Sequence, residues 1–355
     1  MDNKTLQNID ISAFQHDLID WYEREKRDLP WRQDQDPYKV WVSEIMLQQT
    51  KVDTVIPYFY HFIKQFPTVY DLAEADEQAV LKAWEGLGYY SRARNLQTAV
   101  KEVVASYSGE VPSEPKQLEK LKGIGSYTKG AILSIAYGQA EPAVDGNVMR
   151  VLSRVLKIEE DISVPRTKKL FESIVRELIS KENPSSFNQG IMDLGAMVCT
   201  PKAPMCMLCP IQQHCTAFDE GIEQQLPIKS KGKKTKTVPL VALLIQNDQK
   251  EYLIEQRPSK GLLANLWQFP MAPIAEIGFD HIENWFQSEY GIAVTLMENV
   301  GTQKHVFSHL VWDLAIYKAN TVAEETLDER LTFVKKEDLD NFPFPVSHQK
   351  MMTYI

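Results

Sequence analysis

Four cysteines and two carboxylic acids stand out as residues that could do chemistry. The chain's only four cysteines fall between 199 and 215, spaced Cys199-x6-Cys206-x2-Cys209-x5-Cys215. With no secretory signal ahead of them, clustered thiols read as a soft-metal site rather than as disulfides. The spacing alone leaves structural zinc and an iron–sulfur cluster both open. Glu44 sits among Trp41, Val42, Ile45, Met46 and Leu47, so a helix through it is apolar on most sides. Burial there would raise the carboxyl pKa and keep a proton available near neutrality. Asp145 precedes Gly146-Asn147 and the start of a helix, where a carboxylate is favoured. On the residues alone, Glu44 also reads as a solvated helix carboxylate. Asp145 likewise reads as a simple N-cap or turn aspartate.

These groups need elements to hold them. Residues 11–225 read as a stack of helices: apolar side chains recur at helical spacing at Phe14, Leu18, Ile19 and Tyr22, and again at Val148, Val151, Leu152 and Val155. Leu121-Lys-Gly-Ile-Gly-Ser-Tyr-Thr128 lies between two helical stretches. Its glycines, Gly123 and Gly125, allow a tight turn with Ile124 packed inward, and the following helix start offers free N–H groups to a phosphate oxygen. The same string also reads as an ordinary helix–helix loop. Lys229-Ser-Lys-Gly-Lys-Lys-Thr-Lys236 is a basic linker, either a solvated hinge or a contact for DNA phosphates. Beyond it, Val238–Ile245, Tyr252–Glu255, Val294–Met297 and Leu310–Ile316 read as strands. Ile282–Tyr290 and Val346–Tyr354 read as helices, so this part is α+β. The expected boundaries are a mainly helical domain 1–228, a linker 229–237 and a second domain 238–355.

The hairpin, the string Val144-Asp-Gly-Asn-Val-x-Arg150 and the cysteine spacing together resemble the helix-hairpin-helix DNA glycosylases related to endonuclease III, over about residues 11–225. Leu29-Pro-Trp-Arg32, Trp41-Val-Ser-Glu-Ile-Met-Leu-Gln-Gln-Thr50 and Gly86-Leu-Gly-Tyr-Tyr-Ser-Arg-Ala-Arg94 narrow the resemblance to the adenine glycosylases of the MutY type. The resemblance implies a [4Fe–4S] cluster on Cys199, Cys206, Cys209 and Cys215, which fixes a loop rather than cleaving a bond. It implies hydrolysis of the N-glycosidic bond of adenine mispaired with 8-oxoguanine or guanine in double-stranded DNA. Glu44 would donate a proton to adenine N7 and Asp145 would stabilise an oxocarbenium-like sugar, with Tyr127 and Asn147 positioning Asp145 and a water. Arg27, Trp31, Leu47 and Gln189 fall where the family lines its adenine pocket; relatives often carry glutamate at the last of these. Gln49, Leu87 and Tyr89 fall on the loops that fill the gap left by a flipped base, although Leu87 and Tyr89 also suit core packing.

Related glycosylase-lyases carry a nucleophilic lysine two residues after the second hairpin glycine. Tyr127 stands there, and Lys129 points to another helical face. A monofunctional glycosylase is expected, ahead of an endonuclease III-like lyase on oxidised pyrimidines. Residues 238–355 resemble a Nudix-type fold through Gly261-Leu-Leu-Ala-Asn-Leu-Trp-Gln-Phe-Pro270, without the paired glutamates that would hold Mg²⁺. Phe307-Ser308-His309 matches the family's 8-oxoguanine-reading loop, and is otherwise a plain hairpin turn. A serine hydroxyl both donates and accepts, so it can answer to the altered N7 of the oxidised base.

Composition narrows the rest. The net charge is −9. The five lysines of 229–236 stand against 25 basic and 32 acidic residues in 1–228, and 9 against 16 in 237–355. A wholly basic surface is excluded, while a local basic groove is not. No apolar run approaches the ~18 residues of a membrane span. The N-terminal residues are polar, unlike a signal peptide. A cytosolic, DNA-associated monomer with no membrane partner is expected.

Overall fold

The computed structural model describes residues 6–7, 9–230 and 235–355. They form two compact units, Met1–Ala73 with Thr98–Lys231, and Glu74–Gln97 with Gly232–Ile355. This differs from the continuous 1–228 domain expected from sequence. The reason is that side chains of 77–90 bond within the second unit. Gln78 Oε1 accepts from Trp267 Nε1 at 3.0 Å, and Glu85 Oε1 accepts from the Phe344 N–H at 2.7 Å. Ser230 N–H donates to Asp161 at 3.2 Å, and Lys236 and Thr237 already pair as strand, so both ends of the basic stretch are tied. Lys231–Lys234 lie outside the described residues.

The first unit is helical, as the periodicity predicts, with no strand among its described residues. Its core joins Phe14 and Leu18 to Val148, Leu152, Phe171 and Leu194. Three helices carry the site. Pro37–Leu47 starts on Asp36, whose carboxylate accepts from the Tyr38 N–H at 2.9 Å, and Pro37 pre-sets the first turn. It is buried almost all round, from Val40 through Met46. Ser126–Tyr137 follows the hairpin, where Gly123 takes a φ of +84° that favours glycine and Ile124 is buried. Gly146–Val155 is capped by Asp145. Two glycines let these elements close up. A Cβ on Gly130 would lie 1.9 Å from the Pro142 carbonyl oxygen, and one on Gly195 would lie 2.7 Å from Asn147 Cβ.

The second unit is a mixed sheet with helices. Its strands are β1 (Lys236–Gln246), β2 (Glu251–Gln256), β3 (Trp267–Gln268), β4 (Met271–Ala272), β5 (Thr295–Val306), β6 (Leu310–Asn320) and β7 (Leu331–Lys335). The order is β3-β2-β1-β6-β5, with β4 on β1 and β7 on β2. β1 runs parallel to β6, Leu240 opposite Leu314. Alternate residues of β1 face two cores: Leu240, Ala242 and Leu244 on one side, Val241, Leu243 and Ile245 on the other. β5 and β6 form a hairpin with Val306 opposite Val311, closed by Phe307 N–H donating to the Leu310 carbonyl at 2.8 Å. Phe307-Ser308-His309 is therefore its turn. The expected helix at Ile282–Tyr290 is present; that at 346–354 is a four-residue α turn, Val346–Gln349, followed by 3₁₀ helix. Glu289 pairs with Arg330 at 3.1 Å and Glu283 accepts from the Leu296 N–H, so neither belongs to a carboxylate cluster.

Candidate active site

One cavity of about 470 Å³ in the first unit gathers the residues singled out for catalysis. Glu44, Tyr127, Asp145 and Asn147 line it, as do Arg27, Trp31, Leu47, Gln189 and Gln49. Arg27 and Gln189, 162 positions apart in sequence, both line it. Gly130 lets the Tyr127 helix pass close to Pro142, and Gly195 lets the helix Pro184–Met197 pass close to Asn147.

The two carboxyls are held differently. Glu44 is buried, and burial pushes its carboxyl up to about 7. Tyr127 opposes that rise by donating its hydroxyl to Glu44 Oε2 at 2.5 Å, while the nearby Asp145 charge adds to it. Burial and the neighbouring carboxylates push the Tyr127 phenol far above its usual range, so it stays a donor. Burial also lifts Asp145, against the donors it accepts. Those donors cover both oxygens: Val148 N–H to Oδ1 and Asn147 Nδ2 to Oδ2, each at 2.8 Å. Such a cradle solvates the ionised form. The Asn147 amide is itself oriented, since Arg150 donates to its Oδ1 at 2.8 Å. Arg150 also grips the Gly195 and Cys199 carbonyls at 2.7 and 2.8 Å. The simple N-cap reading of Asp145 is thus true of its geometry, and the capping carboxyl also lines the cavity.

Two residues on the wall, Asp193 and Arg32, and one behind it, Arg150, were given no role from sequence. Asp193, almost fully buried, accepts from Arg27 and takes Arg32 in two bonds of 2.8 and 3.0 Å. Burial works to raise its carboxyl, yet the two arginines together hold it below the ordinary range. Arg32 also opposes the rise at Glu44. Arg32 lies in a motif quoted above, and a lone aspartate in the apolar run Gly190–Val198 was the available sign for Asp193. Arg150 likewise lay inside a quoted motif, without a role. Lys129, the lysine that a lyase reading would need, donates to Glu119 at 2.9 Å and does not line the cavity.

The four cysteines are free thiols and line one cavity with Arg154, Val151 and Ile211. Arg154 is buried and donates to Cys199 Sγ at 3.1 Å, and to the Thr200, Pro201 and Leu226 carbonyls. Burial pushes the Cys209 thiol up to about 12 and Cys215 to about 11. Coordination by a metal centre removes that proton outright. Among the described residues, no three His, Cys, Asp or Glu side chains come close enough to clasp one ion. Four soft donors spread around one cavity fit a multi-atom cluster better than a zinc ion with its ~2.3 Å bonds.

The second unit has a separate cavity of about 360 Å³, lined by Tyr89, Arg94, Leu262, Phe307, Ser308 and His309. Tyr89 Oη and Ser308 Oγ share a hydrogen bond of 3.0 Å. Phe307 packs on Trp312 and His305, at centroid distances of 4.8 and 4.6 Å, while Ser308 and His309 are exposed. Tyr89 is half-exposed with a φ of +47°, between Gly88 and Tyr90. Leu87 is buried, so entering a duplex would require its loop to open. Gly123 and Gly125 are exposed at the hairpin of the first unit, and Gln49 is exposed with a φ of +59°.

Two family models match this chain. Residues 42–177 match the HhH-GPD superfamily of base excision DNA repair proteins, and residues 241–354 match the NUDIX domain. An adenine DNA glycosylase of Rattus norvegicus is 36% identical over 90% of this chain and 73% of its own. One from Homo sapiens is 34% identical, over 87% of this chain and 67% of its own. A solved thermostable thymine-DNA glycosylase shares the fold with a TM-score of 0.54 at 26% identity, covering 59% of this chain and 97% of that one.

Proposed function

Since this chain belongs to the adenine DNA glycosylases, a group of hydrolases in base excision repair, we propose that it removes adenine from duplex DNA where adenine lies opposite 8-oxoguanine or guanine. The single observation that carries the chemistry is the Glu44–Tyr127–Asp145 arrangement around one cavity. Adenine, flipped out of the stack, enters that cavity between Trp31 and Leu47. Glu44 holds a proton near neutrality and delivers it to N7, so the base leaves neutral. Asp145 faces the sugar as an anion and stabilises the positive charge that develops as the bond breaks. Asn147 holds Asp145 and a water that adds to the sugar carbon. The bond between C1′ and N9 breaks with its electrons going to the base, the water's oxygen replaces nitrogen on C1′, and the proton that water sheds restores the Glu44 carboxyl.

Cys199, Cys206, Cys209 and Cys215 would hold a [4Fe–4S] cluster, which supplies a fixed loop and no bond cleavage. Gly123, Gly125 and the following helix start would meet a phosphate, and Gln49, Leu87 and Tyr89 would fill the gap in the duplex. Phe307, Ser308 and His309 would read the 8-oxoguanine. The protein acts as a monomer with a catalytic part, a short tether and a reading part. No helix among the described residues is long and apolar enough to cross a membrane.

A single-turnover assay tests this reading. Duplexes with adenine opposite 8-oxoguanine or guanine should be cut after alkali, and adenine opposite thymine or an oxidised pyrimidine should not. Equal release of an oxidised pyrimidine, with a borohydride-trapped adduct, would support the lyase reading instead.

A further inference from the structure

The cavity that gathers the four thiols carries two charged side chains on its wall, Arg154 and Glu223. Much of the remaining wall is apolar, with Val151, Val155 and Leu194 buried. Arg154 is 1% exposed and donates to Cys199 Sγ at 3.1 Å. Its other bonds go to the Leu226, Thr200 and Pro201 carbonyls at 3.0, 2.8 and 3.2 Å, so its charge is set against neutral partners. Cys209 and Cys215 take backbone N–H groups instead, from Ile211 and from Ala217 and Phe218. Glu223 Oε2 is buried with no hydrogen-bond partner among the described residues. Burial pushes the Cys206 thiol up; the Glu223 charge adds to that and the Arg154 charge opposes it, so both reach one sulfur with opposite sign.

We propose that Arg154 and Glu223 set the reduction potential of the iron–sulfur centre in opposite directions, Arg154 making an electron harder to remove from it and Glu223 making it easier. The inference rests on the reading of the four cysteines as a [4Fe–4S] site. Losing an electron makes such a centre more positive. A buried cation beside it opposes that change and a buried anion favours it. The apolar wall leaves both fields weakly screened. The bond from Arg154 to Cys199 acts in the same direction as its charge, because a donor stabilises the electron-rich sulfur. The step is loss of one electron to an outside acceptor, and no bond breaks.

The test is voltammetry of the full chain, purified anaerobically, with the electrode taking the electron. Iron per chain and visible absorbance show that each variant is loaded. Arg154→Met, which keeps bulk and loses the charge, should shift the midpoint negative by about 59 mV, a tenfold change in the oxidised-to-reduced ratio at a fixed potential. Arg154→Lys, which keeps the charge, should move it by less than half as much. Glu223→Gln should shift it positive, by about threefold in the same ratio, and the double variant should fall between the two single ones. Glu223→Gln breaks no bond to Oε2, so it decides the sign alone if Arg154→Met holds no iron. The inference is overturned if Glu223→Gln shifts the midpoint negative or leaves it unmoved. It is also overturned if loaded Arg154→Met fails to shift it negative, or if Arg154→Lys shifts it as far as Arg154→Met. An unaltered protein that holds zinc or no metal overturns the parent reading and this one together. An iron-loaded protein with unmoved potentials overturns this one alone.

Discussion

The catalytic cavity of the first unit and the β5–β6 turn of the second handle polar groups in opposite ways. In the cavity, side chains are committed in advance: Tyr127 to Glu44, Val148 and Asn147 to Asp145, Arg150 to Asn147. At the turn, Ser308 and His309 stand in solvent and Ser308 shares one exchangeable bond with Tyr89. The difference suits the two tasks proposed for them. Moving a proton at neutral pH requires a carboxyl taken out of water and held. Telling two bases apart by one hydrogen requires a group that can reverse its own donor and acceptor roles.

Substitutions can break this contrast. The largest effect is expected at Glu44. Glu44→Gln keeps the shape and the contact to Tyr127 but removes the proton, so single-turnover excision should fall by about a hundredfold to ten-thousandfold. Duplex affinity, read by fluorescence anisotropy, should change little. Next comes Arg150→Ala, which frees the Asn147 amide and two carbonyls at once. Loss of hydrogen bonds to a charged group of this kind should slow excision by about tenfold to a hundredfold. A rate unaltered by that change would mean the cradle of Asp145 is not prearranged.

The pH profile sharpens the same point. Glu44 must be protonated to act, and burial holds its carboxyl at about 7. The rate should therefore fall as pH rises through that value, and fall again at more acid pH where Asp145, raised by burial, takes up a proton. Tyr127 stabilises the ionised form, so Tyr127→Phe should move the midpoint upward even as the maximum rate drops. A downward shift would contradict the assigned direction of that hydrogen bond.

At the turn, effects should be smaller and fall on selectivity. Ser308→Ala should leave catalysis on a favoured duplex nearly intact and reduce the preference for 8-oxoguanine over guanine about fivefold, the size of one neutral hydrogen bond. Tyr89→Phe should cost about twofold to threefold in the same ratio, because water can replace the lost partner at an exposed site.

Much of this was legible in the residues, and for physical reasons. Glu44 stood out as a lone carboxylate in an apolar helix and the cysteines as clustered soft ligands, but the residues alone left their roles open and the family resemblance supplied them. The helix Ile282–Tyr290 follows from a period of 3.6, and strand β1 from a short continuous apolar run buried on both faces. Less local features were not legible. β3 and β4 are two residues each, too short to show a period, and they exist through pairing with β2 and β1. The grouping of 74–97 with the second unit depends on bonds such as Glu85 to Phe344, 259 positions apart. Asp193 escaped notice because its partners, Arg27 and Arg32, lie more than 160 residues away. Each of these is decided by long-range contact, which no window along the chain reveals.

Gly130 has a consequence for how mutations here would be diagnosed. One methyl group at that position would collide with the Pro142 carbonyl and wedge the Tyr127 helix away from the strand of backbone leading to Asp145. The variant could keep its core, its four cysteines and every side chain that lines the cavity, yet hold the carboxyls of Glu44 and Asp145 at the wrong separation. Its melting curve would look tolerable and its chemistry would be gone. A survey that scored only reactive residues would pass over the hydrogen atom that keeps them in step.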